Sequence, residues 1–351
     1  MILYGQHVLY GERNLAQDSN RIYFDKDGYI YPSYNISNTS LEQSNASIKK
    51  WYEQNENTFI QIGRLYHCSF HQYSDANFIT LNDSIFANQI QKLNNSNQTT
   101  LSFFIHGYRK PFTNVNNTWT SQADFRVLTN NFKSYNHSNS KNIEVYWDAY
   151  YDCCFSANKK QNEYLFHLFE LAQKNAELVG SSLKRILCGI QKDTINIITH
   201  SLGAKVAMYS ILNISDNNAL TPTANKLNIC LIAPAISPEL ISKNYWSRNS
   251  TVDYKNNDNY SLHIIYNEKD FVLKKRDNKI GILGPGPYKY GITTLGCNHH
   301  NSTIKLEKYF KTTFPQSPIH LYNMSYIGKC HHVRCYCDGS NMEETFRYME
   351  K

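Results

Sequence analysis

No run in the chain reaches about 18 consecutive apolar residues, so no transmembrane helix is expected. The first residues, Met1-Ile2-Leu3-Tyr4-Gly5-Gln6-His7, lack a basic start and a long apolar stretch, so no signal peptide is expected either. Charge is sparse for a nucleic-acid binder. The net charge of +7 is spread along the chain, and the one short cluster is Lys274-Lys275-Arg276. That excludes a basic arm and leaves, at most, weak attraction to an anionic membrane surface. No internal repeat is found. Nine cysteines, an odd number, cannot all pair. Cys188 and Cys230 sit in apolar segments and read as buried thiols, which fits a reduced setting. The expected location is cytoplasmic, or exported without a signal peptide. Asn-x-Ser/Thr triplets such as Asn38-Thr39-Ser40 follow from the abundance of Asn and carry no message about glycosylation.

What is present is a large apolar inventory. With 351 residues, 41% hydrophobic and 27 Tyr, the chain can bury a sizeable core. From about Thr99 onward, apolar strands alternate with helical patterns. Strands are expected at 101–105, 143–147, 195–198, 227–233, 262–266 and 319–324. A long amphipathic helix is expected over 159–190, with Leu183, Ile186 and Leu187 among its periodic residues. Further helices are expected after Ser201, over 304–312 and over 342–349. Such alternation argues for an α/β fold with a mostly parallel sheet flanked by helices. Residues 1–95 lack the alternation and are read as a β-rich N-terminal extension to a domain spanning 96–351. Asp25-Lys26-Asp27-Gly28 between two apolar runs signals a hairpin. Phe59-Ile60-Gln61-Ile62 and Phe78-Ile79-Thr80-Leu81 are read there as further strands.

Four segments carry chemistry. Thr199-His200-Ser201-Leu202-Gly203 follows an apolar strand and precedes a helical pattern. Strand, tight turn with Ser, then helix is the layout of a nucleophile elbow, which pushes the Ser Oγ out at the sheet edge. The same residues also suit a plain Ser helix cap. The elbow pattern G-x-S-x-G is met except that Thr199 replaces the first Gly. Phe103-Phe104-Ile105-His106-Gly107-Tyr108 is a strand ending in a sharp loop. There the N–H of Tyr108 could join that of Leu202 as an oxyanion donor. Asn267-Glu268-Lys269-Asp270 follows a later strand, with Asp270 the chosen carboxylate, Glu268 the reserve and Asp277 the third choice. His331-His332 follows the last expected strand and supplies a base. Spacing cannot choose between the two; the reading leans to His332 and holds His331 in reserve. His299 and His300 precede that strand and suit the role less well.

Together these residues resemble the α/β-hydrolase superfamily over about Thr99 to Lys351, closest to serine esterases and lipases with an H-G-[FY] loop and an H-S-[LM]-G elbow. Ala233-Pro234-Ala235 and the run from Asp270 into Phe271-Val272-Leu273-Lys274 look like the same branch. The resemblance implies hydrolysis of a carboxylic ester through an acyl-enzyme, with no cofactor. It implies Ser201 as nucleophile, Asp270 as acid, His331 or His332 as base, and Tyr108 and Leu202 as oxyanion donors. The substrate class is a small-molecule or lipid ester. The alternatives are an acyltransferase or thioesterase on the same triad, or a non-catalytic binding scaffold. Cys330, His331, His332, Cys335 and Cys337, with Cys297, His299 and His300 nearby, form a rival set of zinc ligands, though their spacing matches no finger pattern. Trp147 to Tyr151 and Gly284 to Tyr288 are candidate pocket loops.

Overall fold

A computed structural model of the chain describes residues 20–32, 47–108, 121–136, 139–149, 159–212, 214, 224–245, 260–274, 295–337 and 340–350. Seven strands form one sheet: β1 (Arg21–Phe24), β2 (Thr100–Ile105), β3 (Ser140–Trp147), β4 (Thr194–His200), β5 (Lys226–Ile232), β6 (Tyr260–Tyr266) and β7 (Ile319–Asn323). Their order across the sheet is β1-β3-β2-β4-β5-β6-β7. Every pairing is parallel. All six residues of β2 are buried, as are the last six of β4, β5 and β6. Burial on both faces is what continuous runs such as Leu227-Asn228-Ile229-Cys230-Leu231-Ile232 require.

The chain enters the middle of the sheet at β2, steps to one side for β3, and returns to the other side of β2 for β4. The strand order changes direction at β2, and the loops after β2 and β4 meet at the carboxyl ends of these strands. Right-handed connections place the β2–β3 helix and the β3–β4 helix on opposite faces. The first is α4 (Ser121–Tyr135) and the second α5 (Lys159–Gly189). On the α5 side lies α6 (Gly203–Ile211), packed along α5. On the α4 side lie two short helices, α9 (Val333–Cys337) and α10 (Ser340–Tyr348). Asn131 Nδ2 of α4 donates to Cys337 O, and the Phe132 and Phe346 rings meet edge to face. Beyond β5, α7 (Pro238–Asn244) packs on α8 (Ser302–Thr313). A buried polar row sets the strand register. Ser261 donates to Asn228 Oδ1, Asn228 to Asn196 Oδ1, and Asn196 to Ser102 Oγ.

The β-rich reading of residues 1–95 fails where the chain is described. β1 is the sole named strand before residue 95, and it joins the main sheet beside β3. The hairpin turn is present, since Asp25 Oδ1 accepts from the N–H groups of Asp27 and Tyr29. Its returning arm is a single bridge, Phe24 to Ile30. The two expected strands are helical instead. Phe59 to Ile62 lies in α2 (Glu56–Leu65) and Phe78 to Leu81 in α3 (Asp75–Asn94), after α1 (Ile48–Gln54). Buried Phe59, Ile62 and Gly63, and buried Phe78, Leu81, Asn82, Ile85 and Phe86, follow helical spacing. Ser47 and Ser74 cap α1 and α3 by accepting from Lys50 N and Asn77 N. Among the described residues no helix is long and apolar enough to cross a membrane.

Candidate active site

The turn after β4 is built by backbone geometry. Ser201 has φ +54°, in the left-handed region that a residue with a Cβ adopts at a cost. Its N–H donates to Ile232 O at 2.9 Å, and its carbonyl accepts from Ala235 N at 3.0 Å. The loop after β5, Ala233-Pro234-Ala235, thus clamps the turn. Gly203 has no space for a side chain: a Cβ there would lie 2.6 Å from Ile105 O. Its absence lets α6 begin hard against β2. Thr199 stands where the elbow pattern has Gly, fully buried, and among the described residues its Oγ1 has no hydrogen-bond partner.

The loop after β2 lies directly against this turn. A Cβ on Gly107 would come within 2.8 Å of Ser201 Cβ and of His200 O, and 3.3 Å of Leu202 N. Only glycine permits that approach. His106 holds the loop in place. Its Nδ1 donates to Gly107 O, its Nε2 accepts from Trp147 N, and its carbonyl accepts from Trp147 Nε1. Tyr108 follows, its ring edge-on to Phe169. Leu202 is buried and caps the N-terminus of α6. The backbone N–H groups of Tyr108 and Leu202 therefore belong to the two loops flanking the Ser201 side chain. Trp147, expected to line a pocket, is instead buried and stacked on His106. Tyr150, Tyr151, the stretch 284–288 and Asp277 lie outside the described residues.

Ser201, His331 and Asp270 are in line. His331 Nε2 is 3.0 Å from Ser201 Oγ, and His331 Nδ1 is 2.6 Å from Asp270 Oδ2. A carboxylate can only accept, so Nδ1 carries the proton and Nε2 is left to accept from the serine hydroxyl. Both nitrogens in contact are those of His331, which corrects the lean to His332. His332 is the next residue along, and its carbonyl accepts from Cys335 N. Side chains of adjacent residues leave the backbone in different directions, so the chain brings one imidazole of the pair to Ser201.

Asp270 is fully buried, and both its oxygens are engaged. Oδ1 accepts from Val272 N at 2.9 Å and Leu273 N at 3.1 Å. Oδ2 accepts from His331 and, at 3.3 Å, from the Tyr336 hydroxyl. Burial, and then the Asp270 carboxylate, raise the Tyr336 phenol well above its ordinary pKa, so it remains a donor at neutral pH. Glu268, the reserve acid, is committed elsewhere, accepting from Asn298 Nδ2 at 2.8 Å.

Three supports of His331 were not read from sequence. His200 Nε2 donates to His331 O at 2.8 Å, and Asn267 Nδ2 donates to Gly328 O and Cys330 O at 2.8 and 3.0 Å. The third is a disulfide, Cys330–Cys335. It departs from the reduced setting that Cys188 and Cys230 suggested and removes two sulfurs from the rival zinc set. Among the described residues no group of three His, Cys, Asp or Glu side chains could hold a metal ion. The flanking of a His pair by Cys330 and Cys335 was the available signal.

The sequence matches no protein-family model and no curated protein.

Proposed function

We propose that this protein is a serine hydrolase of the α/β-hydrolase fold. Within that class we infer a carboxylic ester hydrolase working through an acyl-enzyme on Ser201. The observation that carries the reading is the unbroken relay Ser201 Oγ–His331 Nε2, at 3.0 Å, and His331 Nδ1–Asp270 Oδ2, at 2.6 Å, at the strand ends where the sheet order reverses. The chain order Ser, acid, His agrees with it.

His331 takes the hydroxyl proton on Nε2 as Ser201 Oγ attacks the ester carbonyl carbon. The imidazolium so formed is stabilised by Asp270, which stays ionised. The carbonyl oxygen becomes an oxyanion and accepts from the N–H groups of Leu202 and Tyr108. One such donor is worth about a hundredfold to a thousandfold in turnover. Collapse of the tetrahedral species breaks the bond to the alkoxy oxygen, which leaves with the proton from His331. Water then enters, gives a proton to His331 and attacks the acyl carbon. Ser201 departs with its hydroxyl restored and the carboxylic acid is released.

Hydrolysis of p-nitrophenyl esters of increasing acyl length tests the reading. The wild type should turn over at least one of them, and Ser201→Ala should not. A folded wild type inert to the whole series, or a Ser201→Ala protein as active as the wild type, overturns it.

A further inference from the structure

The base sits inside a covalent ring. The Cys330–Cys335 disulfide closes residues 330–335 on themselves, with His331 the first residue inside. A ring that short leaves the backbone few conformations. Its fixed points reach both partners of the relay. At one end His331 Nδ1 donates to Asp270 Oδ2 and Nε2 faces Ser201. One residue past the other end, Tyr336 donates to the same Asp270 oxygen. From outside, Asn267 and His200 hold the carbonyls of Cys330 and His331. The two cysteines are partly exposed, so a small thiol can reach them. Among the other described cysteines, Cys68, Cys230, Cys297 and Cys337 are buried and Cys188 is half-buried.

Building on the serine-hydrolase reading, we propose that Cys330 and Cys335 are positioning residues for the base and that their oxidation state sets turnover. The crosslinked protein is the fast form and the dithiol protein the slow one. Reduction by a small dithiol balances simply. One thiolate of the reductant attacks a ring sulfur and expels the other as a cysteine thiolate, giving a mixed disulfide. The reductant's second thiolate displaces the remaining cysteine and leaves as a cyclic disulfide. Two electrons and two protons pass to the cysteine pair. Once released, the 330–336 segment loses the constraint that aligns His331 with Ser201 and Tyr336 with Asp270. The crosslink acts on the reacting geometry and not on ester binding. Reduction should therefore lower kcat about tenfold to a hundredfold and leave KM within about threefold. Chain made in a reducing compartment would idle until it met an oxidising one.

The full-length protein is assayed with a p-nitrophenyl ester before and after dithiothreitol, and again after reoxidation by glutathione disulfide. The Cys330→Ser/Cys335→Ser double variant is assayed with and without dithiothreitol, and circular dichroism follows the fold. The expected result has four parts. Reduction lowers kcat at constant KM, reoxidation restores it, the double variant matches the reduced wild type, and it ignores dithiothreitol. A reduced, folded wild type that keeps kcat within about twofold overturns the proposal, and so does a folded double variant with full kcat. A dithiothreitol response that persists in the double variant also overturns it, by moving the effect to other cysteines. Should the double variant fail to fold, the wild type decides. A reversible kcat loss in folded protein, with peptide mapping that finds Cys330 linked to Cys335 in the fast form, supports the proposal. A loss that tracks unfolding defeats it. An oxidised wild type with no esterase activity overturns the hydrolase reading instead.

Discussion

Ser201 and His331 stand 3.0 Å apart, yet they are held there by different means. The Ser201 turn is made of main chain. Its φ of +54° is imposed by a strand, a helix start, and backbone hydrogen bonds to Ile232 and Ala235. Gly107 and Gly203 contribute by having no side chain at all. The His331 segment is made of single side chains and a crosslink. Asn267, His200, Tyr336 and the Cys330–Cys335 bond hold it at separate points. Main-chain support resists substitution of side chains. Support by individual side chains can be removed piece by piece, so His331 is where this site can be tuned.

The largest effects should come from the two atoms that meet. Ser201→Ala and His331→Ala should each lower kcat for an ester by about five to six powers of ten, because the relay works as a unit. His332→Ala should change it by less than about threefold. If His332→Ala is the severe one, the segment is turned the other way. Next comes the carboxylate: Asp270→Asn should cost about three to four powers of ten, as loss of the correct imidazole tautomer does in the Ser-His-Asp template. Turnover measured for Glu268→Gln beside it should be close to wild type, since that side chain faces Asn298.

A smaller loss should mark the side-chain supports. Tyr336→Phe removes one of two hydrogen bonds to Asp270 Oδ2, a long one, and should lower kcat about tenfold. A Tyr336→Phe protein with wild-type kcat would mean that Asp270 is held well enough by Val272, Leu273 and His331.

Stability separates the two regions. Ser201→Gly should unfold at higher denaturant than Ser201→Ala, by about 1 kcal/mol, because glycine relieves the left-handed backbone. At His331, which is not among the positive-φ residues, the order should reverse, with His331→Gly weaker than His331→Ala. Smallest of all, Thr199→Val swaps an unpartnered buried hydroxyl for a methyl. It should raise unfolding free energy by about 1 kcal/mol and leave kcat within about threefold.

The contrast also explains what could be read in advance. Strands β2 to β7 stand close to their expected places, as do α5, α6, α8 and α10, because buried parallel strands write themselves as continuous apolar runs. The elbow was legible for the same reason: strand, Ser, Gly and helix are consecutive. Asp270 was legible as a carboxylate at a strand end, and there it meets His331. The choice between His331 and His332 was not, because it depends on Asn267, His200 and Tyr336, and no local pattern joins Asn267 or His200 to the His pair. The helices α2 and α3 were misread because Phe59 to Ile62 and Phe78 to Leu81 are too short to show a period. The longer window Phe78, Leu81, Ile85, Phe86 does show it. The same holds for α4, whose buried Phe125, Leu128 and Phe132 were passed over.

If His331 activates Ser201 through their 3.0 Å contact, Ser201 should outreact every other serine in the chain. Labelling with a fluorophosphonate, followed by peptide mapping, measures this directly on the wild type, His331→Ala and His332→Ala. Label should sit on Ser201 alone, at a rate that falls by about a thousandfold or more in His331→Ala and is unchanged in His332→Ala. Label on another residue, or a His331→Ala protein labelled as fast as the wild type, would contradict it.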